Sequence, residues 1–343
     1  MRIFEHQDAA RSRTLRLVLL FILAVAATAA AVHAALWLCW QLLDALLPLE
    51  LGLPHRFLAV NIGVTLLLVL GGWWIETSNL ALPGGTERLL RRIGAREARP
   101  GSSAAEQRLC NIVEEVCIAA HMPCPEVMVL PRVQAINALA AGLDPAASVV
   151  VVTQGALDWL TRDELQGLVA HECSHIHEGD TRLNTQLAGM VTGLELVWRF
   201  GDQVRERGGL AVLFGSAIMA MGSFGWWAGR ALQAAVARQR ELLADARAVQ
   251  WTRSRDGLGG VLRKALTQQQ QSAAGAAGTD PAWKPVLQHL LLVSGAAERG
   301  GWLAAHPPLA LRIQRLYGRA MPALPLQADG AATQPADLTP ATA

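Results

Sequence analysis

The stretch His171-Glu172-Cys173-Ser174-His175 has the pattern His-Glu-x-x-His, and the rest of the chain is interpreted around it. On a helix, positions i and i+4 lie on one face, so both imidazoles can bind a single zinc ion. Glu172 follows the first imidazole, where its carboxylate can take a proton from a water that zinc has acidified. With nine histidines and sixteen glutamates in 343 residues, chance yields roughly 0.01 such matches. The pattern therefore predicts a zinc site with an adjacent base.

Neighbouring residues predict that this motif lies on a helix of residues 162–178. Thr161 and Glu164 form a capping-box pattern at its start, and Gly179 is a suitable stop at its end. Apolar residues recur at helical spacing in between: Leu165, Leu168, Val169 and Ile176. The alternative is a surface helix whose two histidines are incidental.

A catalytic zinc usually has three protein ligands, so a third must come from elsewhere in the chain. Glu241 is the candidate, in a stretch rich in Ala, Leu, Gln and Arg that is typical of a helix. Asp245 follows one turn later, so its carboxylate can accept a hydrogen bond from a ligand imidazole. A Glu-x-x-x-Asp pair by itself is usually a solvated helix face. Cys173 is a conceivable extra ligand, but at i+2 from His171 we expect it to point elsewhere and pack.

The chain resembles the membrane-bound zinc metalloproteases of the HtpX family, which are relatives of the CaaX prenyl proteases. The resemblance covers about residues 15–318 and includes the hydrophobic segments near the N-terminus. It rests on four stretches: Ile136-Asn137-Ala138 with the Val-rich run after it, His171 to Asp180, Arg240 to Asp245, and His306-Pro307-Pro308 with Arg312.

This resemblance implies a zincin-like (gluzincin) catalytic domain with one zinc per chain, held by His171, His175 and Glu241. It also implies that a late histidine, His306, donates to the oxyanion of the tetrahedral intermediate. Arg312 would support it as a residue of the substrate cleft. The alternative for His306 is a histidine that caps the start of a helix.

Short apolar runs before the motif predict strands at residues 126–130 and 148–153, with a third at residues 133–140. We expect a small antiparallel sheet beside the zinc helix, in a mostly helical fold of the α+β class. An edge strand of such a sheet can hold an extended peptide by main-chain hydrogen bonds. The resemblance implies that Asn137 and Ala138 line the substrate cleft. The alternative for Asn137 is a turn residue.

The composition favours a membrane protein, since 52% of residues are hydrophobic and the mean hydropathy is +0.27. The net charge of only +2 gives no sign of a nucleic-acid partner. The five cysteines are odd in number and form no Cys-x-x-Cys pair, which indicates reduced thiols and no disulfide framework.

Two uncharged segments, residues 17–40 and 57–75, are long enough to span a bilayer. The first is too long for a signal peptide and lacks an obvious cleavage site. Arginines are frequent before the first segment and after the second, and scarce between them. This distribution predicts that both chain ends lie in the cytoplasm. We expect a multi-pass protein of a bacterial inner membrane with a cytoplasmic catalytic domain.

A further apolar region, residues 183–229, separates the two halves of the predicted zinc site. The ligands on either side must share one face of the membrane, so this region crosses it an even number of times. Two crossings would put Glu195 in the bilayer and Arg205 and Arg207 outside, and both are unfavourable. No crossing would leave an apolar hairpin that rests on or dips into the membrane. We expect a membrane-associated hairpin.

The predicted organisation has four parts. Residues 1–16 form a cytoplasmic N-terminus, residues 17–75 form a membrane anchor of two helices, and residues 76–320 form the metalloprotease domain. Residues 321–343 are predicted to be a disordered tail. Within the domain, the Gln-, Ala- and Gly-rich residues 267–280 are predicted to form a loop.

We therefore expect a membrane-anchored zinc endopeptidase in which Glu172 takes a proton from water and returns it to the leaving amine. The resemblance implies a lipid-bilayer setting and a role in membrane-protein quality control, with damaged membrane proteins as polypeptide substrates. One alternative is a non-proteolytic zinc scaffold, which would need a fourth ligand such as Cys173. Another is a prenyl-peptide protease, which would need a large membrane chamber and more spanning segments than this sequence offers.

Overall fold

The computed structural model describes residues 2–47, 52–81, 84–273, 304 and 306–326. Its helices are α1 (Arg2–Leu46), α2 (Phe57–Ala81), α3 (Gly85–Arg92), α4 (Ala104–Ala120), α5 (Gln154–Trp159), α6 (Arg162–His177), α7 (Asp180–Arg205), α8 (Ala211–Thr252), α9 (Asp256–Ala273) and α10 (Leu309–Tyr317). Its strands are β1 (Arg96–Glu97), β2 (Glu126–Leu130), β3 (Ala138–Ala141) and β4 (Val149–Thr153). The mostly helical α+β class is as predicted. The chain divides into two compact units: Met1–Leu80 with Thr185–Ala235, and Ala81–Asn184 with Val236–Ala343.

The first unit consists of long helices. In the described part of the chain, three helical stretches are long and apolar enough to cross a membrane: Leu19–Leu46, Phe57–Ser78 and Ala211–Thr252. The first two contain most of the segments predicted from sequence. Apolar side chains of all four helices form the core of this unit: Phe21, Val25, Val32, Leu36, Val69, Leu194, Val197 and Ile218.

Glycines allow the helices of this unit to approach each other closely. A Cβ added to Gly72 of α2 would lie 2.7 Å from the Cα of Gly193 on α7. A Cβ on Gly193 would lie 2.2 Å from the carbonyl oxygen of Val69. On α8, a Cβ on Gly222 would lie 2.7 Å from the backbone nitrogen of Trp198. Helix α7 therefore packs backbone to backbone against both α2 and α8.

The second unit contains a four-stranded sheet in the order β1-β2-β4-β3. Its β3–β4 and β1–β2 pairs are antiparallel, but β2 and β4 are parallel, so the sheet is mixed and not wholly antiparallel as we predicted. After β2, the chain first forms β3 at the edge of the sheet. It then turns back and forms β4 between β2 and β3, so β4 runs antiparallel to β3 and in the same direction as β2. Residues 149–153 are all buried, as expected for a central strand.

The helix that carries the motif, α6, is confirmed within one residue of its predicted end. The capping box is present, since the Glu164 carboxylate accepts from the Thr161 amide at 2.8 Å and the Thr161 hydroxyl accepts from the Glu164 amide at 3.4 Å. Buried residues run along α6 from Glu164 to Ile176 and pack against α4, α9 and β3. Burial on most sides fixes the position of this helix in the second unit.

Two predictions near the C-terminus differ from the structure. Helix α9 runs to Ala273, so residues 267–273 are helical, while residues 274–280 lie outside the described residues. The start of the predicted tail is held along α9: Arg263 donates to the carbonyl of Pro322 at 2.6 Å, and Thr267 donates to the carbonyl of Leu324 at 2.5 Å. Side chains of α9 therefore hold this segment through its main-chain carbonyls. Such contacts cannot be predicted from the composition of the segment, because every residue has a carbonyl. Residues 327–343 of the predicted tail lie outside the described residues.

Candidate metal centre and active site

The two motif histidines converge on one point. His171 and His175 are both buried on α6, and their Nε2 atoms are 3.2 Å apart. Helix α8 brings Glu241 to the same point, with Oε1 3.4 Å from Nε2 of His175 and Oε2 3.7 Å from Nε2 of His171. Within the described residues, these three side chains are the one group whose donor atoms could hold a metal ion.

The donor atoms fit a zinc ion. Zinc–ligand bonds of about 2.0–2.2 Å at a tetrahedral centre put neighbouring donor atoms about 3.3 Å apart. The three observed separations are 3.2, 3.4 and 3.7 Å. Two imidazoles with one carboxylate are a ligand set that catalytic zinc uses. A neutral imidazole has one protonated nitrogen and one nitrogen with a lone pair. If both rings carry their proton on Nδ1, the two facing Nε2 atoms both present lone pairs, and a cation between them satisfies both.

Each imidazole is oriented by a carboxylate on its other nitrogen. Nδ1 of His171 lies 3.1 Å from Oδ1 of Asp245, as predicted from the Glu-x-x-x-Asp spacing. Nδ1 of His175 lies 3.0 Å from Oδ2 of Asp180. A carboxylate behind a ligand histidine fixes its tautomer and ring orientation and makes it a better donor. Both rings therefore present Nε2 to the common point.

Asp180 had no predicted role, and the turn between α6 and α7 explains its position. Gly179 has a φ of +72°, a left-handed conformation that glycine adopts without strain, and α7 begins at the next residue. This tight bend returns Asp180 to the end of α6, where Arg240 also pairs with its other oxygen at 3.1 Å. An acidic residue directly after the helix-stop glycine is the one sequence signal that could have identified it.

Arg312 lies behind the metal site. The side chain is 0% exposed, and its guanidinium donates to both oxygens of Asp245, at 2.9 and 2.6 Å. Its Nη1 lies 2.9 Å from Oε2 of Glu241. Burial alone would lower the pKa of Arg312, but the charges of Asp245 and Glu241 raise it above its usual value. The guanidinium therefore stays charged, and its burial differs from the cleft position that the resemblance implied.

Glu172 is buried beside the ligands, with 1% of its surface exposed. Burial raises the pKa of this carboxyl to about 8, against the opposing effects of His175, Arg312 and the backbone amide of Ala140. Among the residues that the structure describes, its Oε2 has no hydrogen-bond partner. A cation held at the neighbouring ligands would favour the carboxylate form.

The two ligand histidines differ in basicity. Burial lowers the pKa of His171 despite its hydrogen bond to Asp245. Burial acts in the same direction on His175, but its hydrogen bonds with Asp180 and Glu241 raise its pKa well above the usual value. A metal-binding imidazole must be neutral. The carboxylates of Asp180 and Glu241 therefore favour the protonated form of His175 when no metal cation is bound. A bound cation would take the place of this proton.

His306 lies next to the candidate ligands with 7% of its surface exposed, and its Nδ1 is 3.4 Å from Oε2 of Glu241. Its other ring nitrogen, Nε2, has no hydrogen-bond partner among the described residues. Helix α10 begins after Pro308 without a side-chain cap, so the alternative that His306 caps it has no support. Its imidazole is available to a ligand at this site.

Asn137 and Ala138 lie at the start of β3, which is an edge of the described sheet and packs against α6. Asn137 is buried, and its Oδ1 accepts from the amide of Ala138 at 3.0 Å. The segment before β3 is held by Gln268 of α9, whose Oε1 accepts from the amide of Ile136 at 2.7 Å. No role was predicted for Gln268, because we expected a loop at this position. Its contact links residues 132 positions apart.

Cys173 belongs to the core that α4 and α6 share and is fully buried. It shares this core with Cys117 of α4 and does not belong to the described group of possible metal ligands. A structural zinc site closed by this thiol therefore has no support in the geometry.

The model of "Peptidase family M48" matches residues 103–320 of the chain. The chain belongs to peptidase family M48. The matched region contains all the candidate ligands, the candidate base and the residues that orient them. M48 metalloproteases use zinc in general, in agreement with the ligand set found here.

Relatives of this M48 peptidase are also proteases. A "Protease HtpX homolog" of Lactobacillus acidophilus is 33% identical over 232 residues, which cover 62% of this chain and 74% of the relative. Another from Dictyoglomus turgidum is 36% identical over 217 residues, covering 61% and 68%. A third, from Thermoanaerobacter pseudethanolicus, is 31% identical over 277 residues, covering 76% and 87%. With the apolar helices, these matches identify a membrane zinc metalloprotease, which hydrolyses polypeptides.

Among solved structures, the crystal structure of S. mikatae Ste24p matches with a TM-score of 0.39 and 15% sequence identity. The match covers 82% of this chain and 61% of that chain. We draw no conclusion from a similarity at this level.

Proposed function

We propose that this M48 peptidase holds one zinc ion with His171, His175 and Glu241 and hydrolyses peptide bonds with Glu172 as its base. The observation that carries the proposal is the convergence of both Nε2 atoms and the Glu241 carboxylate within 3.7 Å of one another. Zinc bound there would supply an acidified water and polarise the substrate carbonyl. We assign every other step of the hydrolysis to side chains of the protein.

Glu172 moves the proton in this proposal. Its Oε2 is the free acceptor for a proton from the attacking water. Once protonated, the same group donates to the leaving amine, so it acts first as base and then as acid. His306 donates a hydrogen bond to the negative charge that develops on the attacked carbonyl oxygen.

Three buried residues position this machinery without touching the substrate. Asp245 and Asp180 orient the imidazoles of His171 and His175. Arg312 holds Asp245 and balances the negative charge of Glu241. We assign Arg312 this positioning role because its side chain has no exposed surface with which to meet a substrate.

The edge strand β3 is the proposed substrate-binding element. The amide of Thr153 donates to the carbonyl of Asn137 at 3.1 Å. Because hydrogen-bonded and non-bonded pairs alternate in an antiparallel ladder, the main-chain groups of Ala138 and Ala140 point to the open edge. An extended peptide can pair there, next to Glu172. Asn137 supports this edge through two bonds: its Oδ1 accepts from the amide of Ala138 in β3, and its own amide donates to the hydroxyl of Thr153 in β4.

We propose that α7 and α8 both cross the membrane. The candidate ligands precede and follow this hairpin yet form one cluster, which requires an even number of crossings. From Thr185 to Arg205, α7 is about 30 Å long, enough for the hydrocarbon core. Its tight packing on α2 and α8 supports insertion. A charged Glu195 is unfavourable inside the bilayer, but its carboxylate pairs with Arg199 at 2.7 Å. This pairing reduces the free-energy penalty for placing either charge in lipid.

Labelling of single introduced cysteines tests this topology. Gly208→Cys lies between α7 and α8, and two crossings predict that an impermeant maleimide labels it in intact cells above the wild-type level. Gln107→Cys on α4 is the control, which should be labelled only after the cells are permeabilised. Failure to label Gly208→Cys in intact cells, with labelling after permeabilisation, would contradict two crossings.

The arginine distribution supports a bacterial inner-membrane location with the catalytic unit in the cytoplasm. Attachment of the catalytic unit to membrane helices supports membrane proteins as substrates and a role in their quality control. The labelling above also tests the orientation, because a periplasmic catalytic unit would expose Gln107→Cys in intact cells.

Proteolysis of unfolded casein by the detergent-purified full chain tests the catalytic proposal. We compare wild type with Glu172→Gln and measure the zinc bound by each. Glu115→Gln is the matched control, because Glu115 is exposed and pairs with Arg162 on the surface. We expect about one zinc per chain in all three proteins and a loss of activity of at least about a thousandfold only in Glu172→Gln. Full activity of Glu172→Gln would refute its role as base, and zinc binding without cleavage by wild type would favour the scaffold alternative.

A further inference from the structure

Three thiols of the second unit form a cluster that does not belong to the group of candidate metal ligands. Cys117 is on the last turn of α4, Cys173 is on α6, and Cys124 is in the segment between α4 and β2. The thiol of Cys117 lies beside the other two and is influenced electrostatically by both. Cys117 and Cys173 are buried, whereas Cys124 is exposed. The proposed hydrolysis uses none of these thiols.

The end of α4 explains why Cys124 returns to Cys117. His121 takes a left-handed conformation with a φ of +53°, and this reverses the chain. The amide of Met122 then bonds to the carbonyl of Cys117 at 3.1 Å. The chain after α4 is thereby folded back over the last turn of the helix, so that two cysteines seven positions apart become neighbours.

The pair is accessible to small molecules. A surface cavity of about 630 Å³ is lined by both thiols, and the full lining is Glu114, Cys117, Ile118, His121, Met122 and Cys124. Cys117 is thus buried within the protein but faces a space that a small reagent can enter. Cys173 is 0% exposed and does not line this cavity.

The thiols also differ in reactivity. Interactions with Cys173 and Cys124 lower the pKa of Cys117 to about 7, while partial desolvation of its sulfur and the neighbouring Cys117 raise the pKa of Cys124 to about 12. One member of the pair is therefore partly ionised near neutral pH while the other keeps its proton. A thiolate with a neighbouring thiol is the arrangement that oxidants convert to a disulfide.

We propose that Cys117 and Cys124 are a modification site at which hydrogen peroxide or an organic hydroperoxide forms a reversible disulfide. In the first step the Cys117 thiolate attacks a peroxide oxygen, the O–O bond breaks, and the hydroxide or alkoxide that leaves takes up a proton. In the second step the Cys124 sulfur attacks the sulfenic sulfur, the S–S bond forms, and the S–O bond breaks with release of water. Two thiols are oxidised, and one peroxide is reduced to two waters or to an alcohol and water.

Peptide mass spectrometry of the full-length protein in detergent tests this site. The protein is treated with hydrogen peroxide, blocked with N-ethylmaleimide and digested with trypsin. The peptide of residues 109–132 contains Cys110, Cys117 and Cys124, and Cys173 is in the separate peptide of residues 163–182. We expect peptide 109–132 to lose two hydrogens and to carry one maleimide, on Cys110. Dithiothreitol should restore three maleimide sites.

Two variants distinguish this pair from general oxidation. In Cys124→Ser, which changes an exposed side chain, Cys117 should stop at the sulfenic acid and react with dimedone. In Cys110→Ser, on the same helix, the disulfide should form at the wild-type rate, and in wild type Cys110 should oxidise at least about tenfold more slowly than the pair. Three maleimides on peptide 109–132 after peroxide, or a cross-link to peptide 163–182 in its place, would overturn the proposal.

Discussion

Arg312 donates hydrogen bonds to both carboxylate oxygens of Asp245, at 2.9 and 2.6 Å, and both side chains are buried. Asp245 in turn lies 3.1 Å from Nδ1 of His171. The guanidinium, the carboxylate and the imidazole therefore form one chain of contacts that ends at the candidate metal site. We therefore expect a substitution of Arg312 in α10 to change the orientation of the His171 imidazole on α6.

We predict that Arg312→Lys weakens zinc binding by about 10- to 100-fold, the usual effect of removing a residue that orients a ligand. An ammonium cannot make both hydrogen bonds to Asp245 while it also reaches Glu241. Competition with a chromophoric chelator measures the affinity. Arg315→Lys, an exposed arginine on the same helix, is the matched control and should bind zinc as wild type does. Equal affinities of the two variants would contradict the positioning role.

Asp180→Asn should weaken zinc binding to a similar extent, by about 10- to 100-fold. The amide can present its NH₂ to Nδ1 of His175, which favours the wrong tautomer and removes the negative charge that supports the ligand. The same chelator competition measures the effect. Asp158→Asn, an exposed residue of α5, is the control. A wild-type zinc affinity in Asp180→Asn would mean that the contact at 3.0 Å is incidental.

Gln268→Ala should reduce kcat/KM for peptide substrates by about tenfold, mainly through a higher KM. The side chain bonds to the amide of Ile136 and to the carbonyl of Gln134, and the loss of such a bond is worth about 1 kcal/mol. The segment that leads into β3 would then be less ordered before substrate binds. Steady-state kinetics measure the change, with exposed Gln270→Ala as the control. A lower kcat at unchanged KM would argue against a role at the substrate edge.

Glu106 should make the stability of the second unit depend on pH. Arg96 donates to both of its carboxylate oxygens, at 3.0 and 2.7 Å, and this contact lowers the pKa of Glu106, with help from the backbone amide of Arg99. A lowered pKa in the folded state adds stability above the unfolded-state pKa of about 4.3. That stability is lost as the pH falls through the folded-state pKa.

Glu106→Gln should therefore cost about 2 kcal/mol at pH 7, and the difference from wild type should shrink steadily below about pH 4. Thermal melting in detergent at several pH values measures this difference. Glu97→Gln is the control, because the Glu97–Arg91 pair is exposed and such pairs contribute about 0–1 kcal/mol. A difference that grows as the pH falls would have the wrong sign for a lowered pKa.

Gly72→Ala should destabilise the helical first unit, whereas Gly71→Ala should not. A Cβ at Gly72 would lie 2.7 Å from the Cα of Gly193, but a Cβ at Gly71 meets nothing within 4 Å. Alanine is the better helix former by about 1 kcal/mol, so Gly71→Ala should be neutral or stabilising. Melting of both variants in the same detergent measures the contrast. Equal stability of the two would contradict the close approach of α2 and α7.

Local sequence patterns were sufficient to predict the elements that carry the candidate metal site. The i, i+4 spacing of His171 and His175 requires only a helix, and the capping box at Thr161 defines where that helix begins. The spacing of Glu241 and Asp245 likewise needs only one helix, α8. Segments without charges predicted α1 and α2, because length and hydropathy are properties of consecutive residues.

The order of the sheet was not predictable in this way. Strands β2 and β4 were recognised from apolar runs, and the strand predicted at residues 133–140 overlaps β3 only from Ala138. Which strands pair depends on the path of the chain between them. The helical residues 267–273 were missed for a related reason. Their Gln- and Ala-rich composition suits a loop as well as a helix, and packing of α9 on α6 decides between them.

The sequence by itself determined the metal motif, its helix and the two N-terminal membrane helices, because each depends on residues that are close in the chain. Only the tertiary structure decided that Asp180 returns to His175, that Arg312 is buried against Asp245 and Glu241, and that Gln268 holds the segment before β3. These contacts need a tight bend or the meeting of elements that are distant in the sequence. Their distances and burial arise only when the second unit packs.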